Sequence, residues 1–427
     1  MKSLKANVAS KTKRLAGSGR YVVGLDIGTE YVKALVARID GDELEIIGAG
    51  RAHQGLSDMQ SGAIADIGAV VANCDEALNE AEQQAGISVR PTVIGIAGEL
   101  VKGTTMSVNF RRRNPDKELD LDEIRRIINL VQSRAEERAR QQLSWELGGK
   151  DIEIRLVNSA LVSIEIDGYP VTSPVGFKGK EVAVQLYTAF APMIHIGALE
   201  RTAQELDVDL LAVAAEPFAV ARSVIGDNAD SSMSAILMDV GGGTTDIAVL
   251  NDGGVQGTKM FGIGGRAYTK TVEKALDVTF QQAEELKVGL SDNKVPSAKL
   301  PAVEAALKKT LDVWTNGVEL ALAEFTHLDH LPHRILLCGG GSSLDMLIER
   351  LSESNWYKDL PFTRKPSVQH IQPSQVVGMI DKTGKVTDHT YITAMGLLRV
   401  GADTLNQATE QASTGSLRQK IDKMLRV

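Results

Sequence analysis

The sequence predicts an α/β protein of two similar lobes with a cleft between them. Its 427 residues exceed what one ordinary hydrophobic core organises, so two or more globular units are expected. An apolar strand, a Gly-rich turn and a second strand follow one another at 22–39 and again at 235–250. This repeat predicts two equivalent halves, and a third apolar strand ends in the glycine turn at 339–341.

Composition and charge narrow the class of protein. A hydrophobic content of 43% with 24% charged residues is typical of a globular protein. The net charge of −8 argues against nucleic acid as the main partner, although both ends of the chain are locally basic. The chain has no apolar segment long enough for a secretion signal or a spanning helix, so the sequence predicts a cytoplasmic protein.

The cysteines and histidines do not predict a disulfide or a metal site. Cys74 and Cys338 form no ligand spacing, and Cys338 ends an apolar strand where a buried thiol is expected. His327 and His330 could share a helix face, but Pro332 follows them and no cysteine lies nearby in the sequence.

The first lobe is expected to begin with a meander of three strands at 21–47. Asp40-Gly41 between two of these strands is a hairpin signal. A helix at about 64–85 and a strand at 92–97 follow.

The character of the chain then changes over 98–192. A helix in 119–143 carries the apolar stripe Ile124, Ile127, Ile128 and Val131. The order strand, helix, strand, strand predicts a small independent layer inserted into the first lobe.

The second half repeats the strand and Gly-turn pattern from Ser234 onward. Helix-rich sequence at 269–325 separates this repeat from the third glycine turn. Residues 402–415 have no periodic apolar positions and are expected to form a flexible linker before the terminal segment SLRQKIDKMLRV.

Opposed turns rich in Gly and Thr can offer backbone N–H groups to one anion from two sides. Asp26 and Asp239 lie just before the first two turns. Two carboxylates would repel a triphosphate unless Mg²⁺ stood between them, held through coordinated water. The third turn would leave space for a base and ribose. A single Gly-rich hairpin is more often only a turn, so the prediction depends on all three occurring in this order.

The motifs DIGTEYVKAL, DVGGGTTDIAV and CGGGSSLDML resemble the two phosphate motifs and the adenosine motif of the actin-like ATPase superfamily. Glu216-Pro217 and TAMG at 393–396 resemble its connecting segments. Within the superfamily, the sequence from Tyr21 to Val427 is most similar to the FtsA family of bacterial cell division proteins. The resemblance implies an actin-like fold with a nucleotide cleft between the lobes, and it implies that the insert is an SHS2-type (strand-helix-strand-strand) subdomain.

The resemblance also implies domain boundaries. These are a basic extension (1–20), the first lobe 1A (21–97 and 193–232), the insert 1C (98–192), the second lobe core 2A (233–262 and 333–400), the helix-rich subdomain 2B (263–332), a flexible linker (401–415) and a membrane-targeting amphipathic helix (416–427). The extension and Thr271, where relatives commonly carry an aspartate, depart from the family pattern.

Site residues follow from the same resemblance. Asp26 and Asp239 are implied to act in catalysis through Mg²⁺, and Glu216 to orient the attacking water. The alternative interpretation of Glu216 is a buried carboxylate that caps the neighbouring helix. The residues implied to bind the phosphates, ribose and adenosine of ATP are Gly28, Thr29, Gly241, Gly242, Gly243, Thr244, Thr245, Glu284, Lys287, Gly339, Gly340, Gly341 and Ser342.

The last twelve residues predict a helix that lies in a membrane surface. Leu417, Ile421, Met424 and Leu425 fall on one helix face, and four cations outnumber the one acidic side chain. The excess charge would contribute ~3 kcal/mol at an anionic surface. Docking of this helix on its own domain or on a partner is the alternative. The residues assigned to membrane binding are Leu417, Arg418, Lys420, Ile421, Lys423, Met424, Leu425 and Arg426.

The resemblance implies an ATP-binding protein that forms filaments and is at most a slow ATPase. Such a protein would tether the C-terminal peptide of FtsZ to the cytoplasmic face of the membrane at the division site, together with other division proteins. Two alternatives remain: a PilM-like protein of pilus assembly, which generally lacks the basic terminal helix, and a sugar or acetate kinase, which predicts a base in a substrate pocket. A heat-shock chaperone is disfavoured because no substrate-binding domain follows.

Overall fold

The computed structural model describes residues 20–41, 43–225, 233–353 and 355–409. The predicted basic extension, apart from Arg20, and the predicted membrane helix at 416–427 lie outside these residues. Among the helices described, none combines the length and apolarity needed to cross a membrane.

The described part of the chain contains both strands and helices, as expected of an α/β protein. The strands are β1 Arg20–Ile27, β2 Tyr31–Asp40, β3 Glu43–His53, β4 Met59–Gln60, β5 Ala63–Ile64, β6 Pro91–Ile96, β7 Lys102–Arg111, β8 Ile154–Ile166, β9 Tyr169–Pro170, β10 Glu181–Pro192, β11 Asp209–Ala215, β12 Ala235–Val240, β13 Thr245–Asn251, β14 Gly254–Phe261, β15 Arg334–Cys338, β16 Ser367–His370 and β17 Met379–Asp381. The α-helices are α1 Ile67–Ala85, α2 Leu121–Glu146, α3 Met193–Glu205, α4 Glu216–Ile225, α5 Gly265–Leu276, α6 Phe280–Ser291, α7 Leu300–Ala323, α8 Asp345–Glu353 and α9 Ile392–Thr409.

The first lobe is built on a six-stranded sheet in the order β11-β6-β1-β2-β3-β17. The meander β1-β2-β3 is antiparallel, whereas β6 pairs with β1 in parallel, as expected when a helix separates two strands. Helix α1 packs on β3 and α9 packs on β1. Near-continuous apolar runs such as VVGL in β1 are therefore buried on both faces.

The second lobe repeats this arrangement. Strands β12, β13 and β14 form an antiparallel meander, and β15 pairs with β12 in parallel. A second hydrophobic cluster fills the space between this sheet and helices α5, α7 and α8, with Trp314 fully buried in it. The predicted α/β class and its internal repeat are confirmed.

The insert has a hydrophobic core of its own and is also joined to the second lobe through the sheet. Its strands extend the second lobe's sheet to nine strands, because β14 pairs with β7 through Gly257↔Thr104 and Thr258↔Gly103. A Cβ at Gly103 would lie 1.8 Å from Thr258 Oγ1, so only glycine permits this approach. The pairing covers backbone groups that β14 would otherwise expose at a sheet edge. The predicted apolar stripe of α2 is buried against the insert's strands.

The sequence prediction also places the start of the flexible linker too early in the chain. Helix α9 continues to Thr409, so 401–409 is helical rather than flexible. Polar contacts hold this part of the helix on the first lobe: Arg222 lies 2.7 Å from Asp403, and Arg20 donates to Asn406 Oδ1 at 2.9 Å. A helix that is already nucleated extends at little cost, which a search for apolar periodicity does not detect.

Candidate functional site

The first two glycine turns face each other across the lobes. Gly28-Thr29 joins β1 to β2, and Gly241–Thr244 joins β12 to β13. A Cβ at Gly243 would lie 2.7 Å from Thr29 Oγ1, and one at Gly242 would lie 3.0 Å from Glu30 Cβ. The two turns are therefore in contact, and the contact leaves no room for larger residues on the second turn.

Buried charged side chains lie directly behind these turns. Asp26 and Asp239 occupy matching positions near the ends of β1 and β12, where their cross-strand neighbours are Lys33 and Asp246. Lys33 Nζ lies 2.9 Å from Asp26 Oδ2. Asp239 accepts a hydrogen bond from the hydroxyl of Thr393, which comes from the predicted connecting segment at the start of α9.

Glu216 completes this acidic cluster. It is the first residue of α4 and is 8% exposed. Burial, then the charges of Asp26, Asp246 and Asp239, hold the pKa of Glu216 well above its usual range. In the described part of the chain its carboxylate makes no hydrogen bond, so the interpretation of Glu216 as a helix cap has no contact in its favour.

The neighbouring groups respond to the same environment. Burial raises the pKa of Asp239, against the hydrogen bond from Thr393. Burial and the charge of Asp239 raise the pKa of Asp246. Burial opposes the charge on Lys33, but the Asp26 carboxylate raises the pKa of this lysine. Four buried carboxyl groups thus face one lysine, an arrangement that a divalent cation would relieve.

The donor set fits Mg²⁺ held largely through water. Within the described residues, no three His, Cys, Asp or Glu side chains are grouped as a metal site. Mg²⁺ typically keeps several waters and takes one or two carboxylates together with phosphate oxygens. Asp246 Oδ1 is buried and has no hydrogen-bond partner among the described residues, as expected of an oxygen that would accept from cation-bound water.

The third glycine turn packs against the second. Gly339 has φ +80°, and a Cβ there would lie 2.0 Å from Asp239 Oδ1. Gly340–Ser343 forms a 3₁₀ turn in which the buried Ser342 hydroxyl donates to Gly339 O at 2.7 Å. A Cβ at Gly340 would meet no atom within 4 Å, so this turn offers an open surface to a flat ring.

Glu284 and Lys287 of α6 lie beside the same turns. Lys287 Nζ lies 2.7 Å from Glu284 Oε2 and donates to Gly265 O at 3.2 Å. A Cβ at Gly265 would lie 3.8 Å from Gly341 Cα, which places this pair at the edge of the third turn.

Thr245 is a predicted site residue whose side chain points away from the cleft. Its hydroxyl donates to Ile263 O at 2.7 Å and accepts from Trp314 Nε1 at 2.9 Å. These contacts lie in the core of the second lobe, because consecutive residues of a strand point to opposite faces. The Thr244 hydroxyl, one residue earlier, donates instead to Asp246 Oδ2 at 3.0 Å.

Sequence comparisons find FtsA proteins among the relatives of this chain. The family model described as "Cell division protein FtsA" matches residues 236–396. FtsA of Pseudomonas aeruginosa is 26% identical over 421 residues, with 93% of each chain covered. FtsA of Streptococcus pneumoniae is 24% identical over 422 residues, covering 94% of this chain and 87% of that protein. Over nearly its whole length the chain is similar to these FtsA proteins.

The fold is shared more widely than the FtsA family. A structure of the PilM-PilN type IV pilus biogenesis complex superposes with a TM-score of 0.64 at 17% identity, covering 89% of this chain and 98% of that one. At this identity the likeness shows the actin-like fold alone.

Several residues of the site are not among those predicted from the sequence, although Lys33 and Asp246 lie within the two phosphate motifs. Lys33 and Asp246 could have been found as the strand partners of Asp26 and Asp239 in the predicted hairpins. A histidine pair supports the third turn and has no sequence signal, because its members are far apart in the chain. The rings of His370 and His389 stack at 3.8 Å, with His370 Nε2 2.9 Å from Ser342 O and His389 Nε2 3.0 Å from Ser343 Oγ.

The histidine pair predicts a loss of stability in mild acid. Burial, then the charge of His370, lowers the pKa of His389 from 6.5 to about 4. The folded protein therefore keeps His389 neutral where the unfolded chain protonates it, and stability falls as the pH drops from 6.5 toward 4. Thermal unfolding between pH 7.5 and pH 5 should show a smaller decline for His389→Asn than for the wild type. The exposed His330→Asn serves as control, and equal declines in all three proteins would contradict this account.

Proposed function

We propose that this protein binds MgATP between its lobes, polymerises into actin-like filaments, and tethers FtsZ to the cytoplasmic face of the membrane at the division site. The observation that supports nucleotide binding is the contact between two Gly-Thr turns in front of a buried cluster of carboxyl groups. Backbone N–H groups at such turns bind phosphate oxygens, and the acidic cluster favours a bound cation.

Each part of the site has a proposed role in binding ATP. Turns 28–29 and 241–244 would hold the phosphates, and the turn at 339–342 would hold adenosine, with Glu284 and Lys287 at the ribose. Asp26 and Asp239 would bind Mg²⁺ through water, and Mg²⁺ would supply positive charge to the transferred phosphate. Glu216 would orient the attacking water and, in the ionised form that a cation in the cluster would favour, accept its proton. We expect at most a slow ATPase.

The remaining subdomains would carry the assembly functions. We assign longitudinal filament contacts to the insert (98–192) and the FtsZ C-terminal peptide to the helix-rich subdomain (263–332). Exposed apolar side chains on α6 and α7 support the second assignment, since an amphipathic peptide would cover them. These side chains are Val288 at 55%, Val313 at 57% and Leu320 at 70% exposure.

Membrane attachment is assigned to residues 416–427, after a linker that we now confine to 410–415. One short helix binds weakly, but many copies along a filament raise the effective concentration at the surface. Attachment should therefore depend on ATP as well as on the helix.

Vesicle pelleting with and without ATP tests this proposal. Leu417→Glu with Leu425→Glu places two charges on the apolar face, so the protein should remain in the supernatant with anionic vesicles and should no longer recruit FtsZ. A matched control, Ser416→Glu with Gln419→Glu, adds the same charge off that face and should lose much less binding. Undiminished pelleting of the first variant would show that the terminal segment is not the anchor. Unchanged pelleting after deletion of 416–427 would favour a PilM-like function.

A further inference from the structure

Arg266 makes a bridge between the lobes that the nucleotide motifs do not include. It is the second residue of α5 and is 9% exposed. Its backbone N–H donates to Gly242 O at 2.8 Å, and the preceding Gly265 N–H donates to Gly241 O at 2.9 Å. The start of α5 is thus fixed to the second phosphate turn.

The side chain of Arg266 reaches the opposite lobe. Its Nε lies 2.7 Å from Glu30 Oε2. The two terminal nitrogens donate to three carbonyl oxygens of the segment after β3, which are those of Gln54 at 3.4 Å, Gly55 at 3.3 Å and Leu56 at 3.3 Å. A guanidinium group has the planar array of donors that several acceptors on one surface require.

The acceptors are themselves part of the first phosphate turn or bound to it. Glu30 directly follows Thr29. Gln54 N–H donates to Glu30 O at 2.9 Å, and its side-chain amide donates to Gly28 O at 3.3 Å. One arginine therefore connects the turn at 28–29 with the turn at 241–244.

We propose that Arg266 is a positioning residue that sets the separation of the two phosphate turns and slows the release of bound nucleotide. The proposal rests on the proposed ATP site. For nucleotide to leave, the lobes must separate, and separation breaks all four contacts of a guanidinium that is largely shielded from water. These contacts must break before the lobes can open, so they act mainly on the dissociation rate.

Stopped-flow kinetics with a fluorescent ATP analogue and Mg²⁺ test the proposal. Arg266→Met keeps an apolar stem and should speed dissociation about tenfold or more, with association changed less than about threefold. Arg266→Lys keeps the positive charge but lacks the planar set of N–H donors. Its dissociation rate should lie between those of the wild type and Arg266→Met. The control Arg90→Met removes an exposed arginine that pairs with Asp207 within the first lobe, and its rates should match the wild type. An unchanged dissociation rate in Arg266→Met would overturn the proposal.

A double-mutant cycle separates a specific bridge from general destabilisation. In a Glu30→Gln background, Arg266→Met should accelerate dissociation clearly less than it does in the wild type, because the ion pair is already lost. Equal effects in both backgrounds would mean that Arg266 does not act through Glu30, and that result also counts against the proposal.

A measurement without nucleotide distinguishes failure of the bridge from failure of the ATP site. Spin labels on cysteines introduced at the exposed Glu76 and Lys308 report the distance between the lobes, since both native cysteines are buried. Arg266→Met should broaden the distance distribution of the nucleotide-free protein. If the distribution broadens but the protein binds no ATP, the result supports the Arg266 bridge and contradicts the proposed function. An unchanged distribution would contradict the bridge.

Discussion

Asp239→Ala is expected to abolish MgATP-dependent filament assembly. The carboxylate is buried beside the contact of the two phosphate turns and would hold Mg²⁺ through water. Loss of a metal anchor costs several kcal/mol, which corresponds to a hundredfold or greater weakening of ATP binding. Sedimentation and electron microscopy with and without MgATP would measure assembly, and calorimetry would measure affinity.

The isosteric Asp239→Asn sharpens this prediction. Because burial raises the pKa of Asp239, its ionised form is disfavoured in the folded protein. The amide keeps an acceptor for Thr393 and removes that charge, so the nucleotide-free variant should melt at a higher temperature than the wild type while it fails to assemble. Normal filament yield in Asp239→Asn and Asp239→Ala would remove the assigned role in Mg²⁺ binding.

Glu216→Gln is expected to lower the rate of ATP hydrolysis about a hundredfold, while ATP affinity changes only a few-fold. The substitution keeps the size of the side chain and removes the group that would take the proton of the attacking water. Burial and the neighbouring carboxylates raise the pKa of Glu216, and a cation bound in the cluster would favour the ionised form, which is the form that accepts a proton. Phosphate release at saturating MgATP measures the rate.

The matched control for this prediction is Glu200→Gln, which neutralises a carboxylate that lies 2.6 Å from Arg155, outside the acidic cluster. Its hydrolysis rate should equal that of the wild type. If Glu216→Gln hydrolysed ATP at the wild-type rate, Glu216 would be a structural carboxyl group and water would be oriented by another residue.

The paired strand and Gly-turn motifs made much of the fold predictable. The strands at 22–39 and 235–250 carry β-branched and apolar runs, and their glycines are needed because the turns touch. The Gly-rich turns lie at the ends of these strands. If the two lobes are similar and face each other, the two turns must lie close together, so the site could be predicted as well. Such signals are local in the sequence and need no knowledge of tertiary contacts.

The features that the sequence did not predict depend on contacts between distant segments. Pairing of β14 with β7 requires Gly103 and Thr258 to meet, and neither residue signals this alone. The extension of α9 depends on Asp403 reaching Arg222. Arg266 resembles any helix-surface arginine in the sequence, and its role follows only from the carbonyl groups that the other lobe presents. Thr245 is the opposite case, a residue that the motif assigned to the site. Because successive strand residues point to opposite faces, its hydroxyl lies in the core instead.

Calorimetric titration of the purified protein with ATP, with and without Mg²⁺, tests the nucleotide site most directly. We expect saturable binding of one ATP per chain that weakens strongly when Mg²⁺ is removed and in Asp239→Ala. Absence of binding heat across a range of temperatures, together with no shift in melting temperature at millimolar MgATP, would contradict the central claim.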